Sequence, residues 1–481
     1  MDFGLARIDV EIPAFNEWRV ETPKNSTFTL KLESGTAEIF GSELSPDLTY
    51  VFKEEMKFAV ATYHGCKISY TCTVPLDLEY ISEETILKQM LNLHLAIENC
   101  SVGGKYPRIL IIGPKDSGKT SLARTLAAYA LKTSEKQPML INLDPHLPHF
   151  GIASQLSVAK LYDSLDIETS TIAESLTTGP GTGLYRSQVP HLKCFGLEKF
   201  NENLELYKSL ISELSVELDA KMKASKDCGT VIIDTPSFNV SDWKLIQQIV
   251  DIFHVDLLLV VGNERLLVDL RKKLTLESNV TMIKTPRSSG CIEKEAKYER
   301  DLQQRSIRQY FYGVERSRLN PFTFHSSVKD FIFLQPNTNE PNAEFLDFMA
   351  GDADDIVKTE AADDDYNPAM QSDSHLAVPI KRNWKYKQML RYIEEPKEVD
   401  LINSVVAIID DKDFNFNKWS KLEGDEKLTE LNKFVTTQSV LGYSYVSSCD
   451  DTTGKIKLLV PSPVSSMPGK ILIVTEMRYQ E

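Results

Sequence analysis

Gly113-Pro114-Lys115-Asp116-Ser117-Gly118-Lys119-Thr120 combines the residue types that hold a polyphosphate, in the spacing G-x-x-x-x-G-K-[ST]. The chemistry follows from the residues. Gly113 and Gly118 let the backbone bend so that its N–H groups converge on an anion. The helix start behind the loop adds partial positive charge. Lys119 can reach the terminal phosphates, and the Thr120 hydroxyl can ligate a magnesium ion. Two carboxylates belong with this loop by sequence position. Asp234 ends the apolar run Thr230-Val231-Ile232-Ile233 and suits the metal side of the site; its other reading is a cap for a helix near Ser241. Asp144 ends Met139-Leu140-Ile141-Asn142-Leu143 and suits a general base; its other reading is an Asp-Pro turn. His146 and His149 are three apart, but Pro145 and Pro148 break any helix there, so no metal site is expected of them.

The elements that must position these residues are legible around them. Arg108-Ile109-Leu110-Ile111-Ile112 reads as a buried strand before the loop, and the Ala- and Leu-rich stretch from Ser121 reads as a helix after it. Asp256 to Gly262 and Val280 to Lys284 are further strands. Apolar strands alternating with helical stretches predict an α/β domain around a mostly parallel sheet, with ligands beyond the carboxyl ends of the strands. Residues 1 to about 80 show short period-2 runs, such as Thr27-Phe28-Thr29-Leu30-Lys31-Leu32, and predict a small β-domain. Ser82 is expected to cap a linking helix that includes His94 as an ordinary packed residue. Apolar runs at 401–409, 442–446, 455–461 and 470–475 predict a second small β-domain. The expected division is 1–100, 101–318 and 319–481.

The chain has 481 residues and a net charge of −15, which excludes a bulk nucleic-acid binder; RNA contact would be weak or indirect. Glu344 to His375 holds ten acidic residues and one lysine and reads as a disordered insertion. Seven cysteines with no C-x-x-C pair suit a reducing compartment and no zinc site. Neither a signal peptide nor a membrane-spanning run is expected.

Several further runs are distinctive: Ala37-Glu38-Ile39-Phe40-Gly41-Ser42-Glu43-Leu44, Thr62-Tyr63-His64-Gly65-Cys66, Ser306-Ile307-Arg308-Gln309-Tyr310-Phe311-Tyr312-Gly313 and Leu459-Val460-Pro461-Ser462-Pro463. With the phosphate loop, these resemble the polynucleotide 5′-hydroxyl-kinase family, and within it the kinase-like subunits of the fungal pre-mRNA cleavage and polyadenylation factor (cleavage factor IA). The resemblance implies ATP with Mg2+ between the N-terminal and central domains. It implies nucleotide contacts from Glu17, Lys57 and the segment Asp116-Ser117-Gly118-Lys119-Thr120-Ser121. It also implies a nuclear role in pre-mRNA 3′-end cleavage, beside other subunits of the cleavage factor, notably the one that binds the polymerase II tail.

Departures from the active pattern bear on catalysis. Active relatives follow the strand Asp with Gly-Gln, whereas Asp144 is followed by Pro145-His146-Leu147-Pro148. Their Thr-Pro-Gly-x-Asn loop corresponds to Lys199-Phe200-Asn201-Glu202-Asn203. Of their lid arginines, Arg300, Arg305 and Arg308 remain, with Gln303 and Ser306 where basic residues are expected. The expectation is an ATP-binding scaffold that turns ATP over poorly or not at all. The alternative is an active polynucleotide 5′-hydroxyl kinase that uses Asp144. A GTPase-like switch is disfavoured, since no Asn-Lys-x-Asp motif is present.

Overall fold

In the computed structural model, residues 6–101, 105–162, 165–168, 190–275, 280–314, 317–338 and 385–479 are described. The acidic stretch 344–375 lies outside them. The first β-rich unit contains β1 (Ile8–Ile12), β2 (Glu17–Glu21), β3 (Phe28–Gly35), β4 (Glu38–Ile39), β5 (Ser42–Glu43), β6 (Thr49–Phe52), β7 (Lys57–Ala61), β8 (Cys66–Cys72) and β9 (Leu78–Ser82). They form two sheets, β1-β8-β3-β6 and β5-β4-β7-β2-β9. Alternation drives one face of each sheet inward, and an aromatic cluster fills the space between them. Within it Trp18 lies tilted against Tyr70 at 5.2 Å and Phe52 stacks on Phe58 at 4.8 Å between centroids. Ser82 closes β9 opposite Glu17 and caps no helix. The linking helix α1 (Leu87–Cys100) starts later, and the buried His94 on it meets the Thr133 hydroxyl at 3.0 Å.

The central unit contains β10 (Arg108–Ile112), α2 (Lys119–Thr133), β11 (Gln137–Asn142), β12 (Gln155–Lys160), β13 (His191–Cys194), α3 (Leu204–Ala224), β14 (Cys228–Asp234), α4 (Trp243–Phe253), β15 (Leu257–Val261), α5 (Glu264–Lys273), β16 (Thr281–Thr285) and α6 (Ala296–Tyr312). Its sheet order is β13-β12-β11-β14-β10-β15-β16. Strands β11, β14, β10, β15 and β16 run parallel, and β12 and β13 add an antiparallel edge. The unbroken apolar run of β10 has a simple cause. Leu110 and Ile112 enter the core on one face, Ile109 and Ile111 the core on the other. Because β14, β10 and β15 end together, their loops share one edge, and the site forms there.

A short hairpin, β17 (Gly313–Val314) and β18 (Ser317–Arg318), leads into the last sheet. That sheet holds β19 (Phe322–Ser327), β20 (Ile332–Pro336), β21 (Leu390–Ile393), β22 (Ser404–Ile409), β23 (Val440–Asp450), β24 (Lys455–Val460) and β25 (Ile471–Arg478), in the order β19-β24-β23-β22-β25-β20-β21. The run expected from Leu401 becomes a strand only at Ser404, because Leu401 ends a short helical turn, Glu398–Leu401. The Tyr310-Phe311-Tyr312-Gly313 run joins this sheet to the central unit: Tyr310 and Phe311 are buried, and the Tyr310 hydroxyl accepts the Tyr443 N–H at 2.8 Å. Fully buried Lys193 on β13 donates to the Thr437 and Gln438 carbonyls at 2.7 and 3.1 Å, at the end of the 424–437 helix.

The Ala37–Leu44 run hooks the sandwich onto α2. Glu38 accepts the Tyr129 hydroxyl at 2.6 Å, and Tyr63 and Tyr129 share a hydrogen bond of 2.8 Å. Arg124 lies 4.9 Å from the centre of the Phe40 ring. Gly41 has φ +80°, and a Cβ there would fall 2.9 Å from the Thr125 carbonyl, so only glycine fits this approach. The helix that begins at the phosphate loop is therefore the one the sandwich grips.

Candidate nucleotide-binding site

The loop after β10 bends through two left-handed residues, Asp116 (φ 55°) and Gly118 (φ 89°). Crowding shows why glycine stands at both ends. A Cβ at Gly113 would lie 2.7 Å from Ser117 Oγ, and one at Gly118 would lie 2.7 Å from Cys291 Sγ. Helix α2 starts at Lys119, so the free N–H groups of its first turn, including those of Thr120 and Ser121, face the loop. Lys119 is buried and its ammonium donates to the Pro114 carbonyl at 2.9 Å. Burial lowers its pKa, and Asp234 opposes that shift. Ser117 Oγ is buried with no hydrogen-bond partner. A desolvated ammonium and an orphaned hydroxyl in one backbone cradle are what an anionic oxygen would satisfy. The donor set fits a nucleotide polyphosphate.

Asp234 closes β14 beside the loop. Its Oδ2 accepts the Thr120 hydroxyl at 2.7 Å and meets His149 Nε2 at 2.9 Å; its Oδ1 accepts the Thr235 N–H at 3.0 Å. It caps no helix, since α4 begins at Trp243 behind Asp242. The hydroxyl–carboxylate pair fits a magnesium ion. His149, set aside in the sequence together with His146, is the buried orienter of that carboxylate; the two histidines do not converge. Among the described residues no group of three or more His, Cys, Asp or Glu is placed to hold a metal.

Asp144 lies past the end of β11, which stops at Asn142. Its Oδ1 accepts the His146 N–H at 3.0 Å, so the side chain does cap an Asp-Pro turn. Both readings of this residue meet here. Burial pushes the carboxyl up, Asp234 pushes it further, and Lys119 opposes them. Part of its lone-pair capacity is committed to the turn.

On the sandwich side, Glu17 and Arg19 share the buried outer face of β2. Arg19 donates to Glu17 Oε2 at 3.1 Å, to Ser289 Oγ at 3.0 Å and to the Glu84 carbonyl at 3.0 Å. Burial pushes the Glu17 carboxyl up, with Arg19 opposing. Lys57 stands opposite Glu21 instead of Glu17 in the β2–β7 register. Its ammonium pairs with Glu21 at 2.7 Å and lies 5.4 Å from the centre of the Tyr298 ring. Glu17 thus meets the strap through Arg19, and Lys57 faces α6 through Tyr298.

The segment after β16 crosses the loop as a strap. Cys291 Sγ lies 3.6 Å from the Ser117 carbonyl, and the Lys294 N–H donates to Asp116 Oδ2 at 3.1 Å. Helix α6 continues it. Buried Glu299 pairs with Lys115 at 2.8 Å and lies 3.5 Å from His146 Nε2, while Gln303 meets His146 Nδ1 at 3.4 Å. Ser306 is buried on the same side. Arg300 and Arg308 are exposed, and Arg305 bonds the Glu55 carbonyl at 2.6 Å on the sandwich. The helix thus turns Glu299 to the loop, Gln303 to His146 and Arg305 to the sandwich.

The Lys199–Asn203 stretch is likewise built into the fold. Asn203 is fully buried, caps α3 by accepting the Leu206 N–H at 3.0 Å, and donates to the Met389 carbonyl at 3.0 Å. On the opposite flank a cavity of about 430 Å³ lies between Pro114, Phe238, Asn239, Asn263 and Arg265.

Sequence reasoning missed Arg19, His149, Ser289, Cys291 and Glu299. A signal existed for two of them. Glu17 and Arg19 alternate with Trp18 and Val20, and Glu299 lies on the helical stripe of Gln303, Ile307 and Tyr310.

Three family models match the chain: the N-terminal beta-sandwich domain of polyadenylation factor over residues 11–101, the mRNA cleavage and polyadenylation factor CLP1 P-loop over 113–313, and the Pre-mRNA cleavage complex II protein Clp1 over 319–481. The mRNA cleavage and polyadenylation factor CLP1 of Debaryomyces hansenii is 34% identical, covering 98% of this chain and 95% of its own. That of Candida albicans is 31% identical, covering 98% and 96%. Among solved structures, wild-type Clp1p in complex with Pcf11p superposes with a TM-score of 0.79 at 26% identity, covering 99% of each chain. A second, described as an extended Pcf11p–Clp1p interface with the structural basis for ATP loss in a point mutant, gives 0.79 at 25% identity over the same coverage.

Proposed function

The chain belongs to the Clp1 family of mRNA cleavage and polyadenylation factors, and on that premise we propose that it works as an ATP-holding scaffold in the nucleus. Gly113, Asp116, Ser117, Gly118, Lys119, Thr120 and Ser121 form the cradle, Thr120 and Asp234 hold Mg2+, and Glu17 and Lys57 stand on the sandwich side. The bound ion supplies charge neutralisation of the phosphates. The chain's own residues do the rest. Lys119 and the loop amides orient the phosphates, His149 aims Asp234, and Arg19 ties the sandwich to the strap above the loop.

A ligand bound by both lobes stabilises their docking, by about 4 kcal/mol when it is near 1,000 times its Kd. The rigid composite then offers other cleavage-factor subunits a surface. The solved relatives in complex with Pcf11p support a partner of that kind; by the family resemblance that partner is the subunit that binds the polymerase II tail.

One observation carries the non-catalytic half of the reading: buried Glu299 meets the loop from α6, while Arg305 is held by the sandwich and Arg300 and Arg308 are exposed. Phosphoryl transfer needs positive charge against the moving group, and loss of an arginine-finger contact costs about 10³ in rate or more. Transfer of radiolabelled phosphate from ATP to a 5′-hydroxyl oligonucleotide tests this. The scaffold reading expects none above the Lys119→Ala background. Robust transfer abolished by Asp144→Asn would establish the alternative, a polynucleotide 5′-hydroxyl kinase, which the presence of Asp144 beside Lys119 supports.

A further inference from the structure

We propose that Glu299 is a positioning residue for the bound nucleotide: paired with Lys115, it fastens helix α6 to the phosphate loop and sets how slowly a triphosphate leaves. The inference rests on reading the site as an ATP cradle. Lys115 is one of the variable positions of the loop, and its side chain is mostly in solvent. Its ammonium nevertheless ends on a carboxylate only 9% exposed, at 2.8 Å from Oε1 and 3.0 Å from Oε2. The same carboxylate lies 3.5 Å from His146, in the turn capped by Asp144. One side chain of α6 thus touches both the loop and the turn that flank the phosphates. The rest of the helix is held from the other lobe: Lys24 pairs with Asp301 at 2.6 Å, and Arg305 reaches Glu55. Opening the loop side therefore means breaking the Glu299 contacts while the sandwich contacts persist.

The charge arrangement has a direction. An unpaired buried carboxylate beside a polyphosphate would repel it; with Lys115 against it the wall is neutral. Loss of Lys115 should thus be the worse of the two single changes. A long alkyl side chain at 115 would keep the packing and lose the fastening, whereas arginine would keep both.

The test is the release rate of a fluorescent ATP analogue from the full-length protein, chased with excess ATP. Lys115→Met should release about tenfold faster than wild type, the loss expected of a charge-assisted hydrogen bond. Glu299→Gln should release several-fold faster, and Lys115→Arg at close to the wild-type rate. The Lys115→Met/Glu299→Gln double variant should be no faster than Lys115→Met alone, because the two act as one unit. Wild-type rates in both single variants, or fully additive effects, would overturn the proposal. Amide exchange of residues 296–303 in nucleotide-free protein is the second readout. Glu299→Gln should raise exchange there, and unchanged exchange would also count against the fastening. If wild-type protein bound no ATP at all, the cradle reading would fall, and this second readout would still decide whether Glu299 holds the helix.

Discussion

The Thr120 hydroxyl and the Asp234 carboxylate meet at 2.7 Å, and the oxygen that joins them also faces His149 at 2.9 Å. Two carboxylate lone-pair directions are therefore set by the protein alone. An ion entering between Thr120 and Asp234 meets ligands already aimed. Outer-sphere partners of this kind typically change metal affinity 10–100-fold when removed.

His149→Phe should accordingly keep the fold and raise the Mg2+ concentration needed for half-maximal ATP binding by at least about tenfold. A magnesium titration of ATP binding by calorimetry checks it. An unchanged midpoint would mean that Asp234 needs no orientation from this side.

Arg19 joins Glu17, Glu84 and Ser289, and thereby the sandwich to the strap over the loop. Arg19→Ala would leave Glu17 buried without its cation. Breaking a buried pair costs about 3–5 kcal/mol. The expected result is a lowered melting temperature and faster proteolysis between the sandwich and the central unit, measured without added nucleotide.

Burial raises the Glu38 carboxyl to about 7 against 4.5 in its ordinary state, with the Tyr129 hydrogen bond opposing. Between those values the folded state holds more protons than the unfolded one. This contribution to stability is therefore fully present below pH 4.5 and is lost as pH rises through about 7. At about 1.4 kcal/mol per unit, the loss is on the order of 3 kcal/mol. Glu38→Gln should flatten this part of the stability–pH curve, as followed by urea unfolding. Parallel curves for variant and wild type would contradict it.

Lys193 is fully buried, with its ammonium on the Thr437 and Gln438 carbonyls and 2.7 Å from Glu217. Cations suit a helix C-terminus, and this one also bridges two units. Lys193→Met should destabilise their joint by about 3 kcal/mol, since a carbonyl pair and a carboxylate lose their donor together. Differential scanning calorimetry should show the C-terminal transition separating from the central one.

Much of this was legible in the residues, and the exceptions have causes. Strands β10, β14 and β15 are apolar on both faces because helices cover both, so they read as continuous runs. Strand β2 does not: Glu17-Trp18-Arg19-Val20-Glu21 looks like a solvated strand, yet its charged face is buried against the strap. Strand β12 escaped notice because Gln155 and Ser157 interrupt it, although every residue in it is buried and Gln155 bonds Tyr443. Strand ends also shifted: the expected run to Asp144 stops at Asn142, because Asn142 turns its side chain back onto the backbone of Asp144 and Leu147. The direction of the lid arginines could not be read from their number. It follows from Ile307, Tyr310 and Phe311, which bury one side of α6 and so carry Glu299 and Gln303 inward.

The most direct test of the scaffold reading is to purify the full-length protein without added nucleotide, denature it and identify what is released by ion-exchange chromatography. The account predicts close to one intact ATP per chain, lost in Lys119→Ala. Recovery of ADP, or of no nucleotide from well-folded protein, would contradict it.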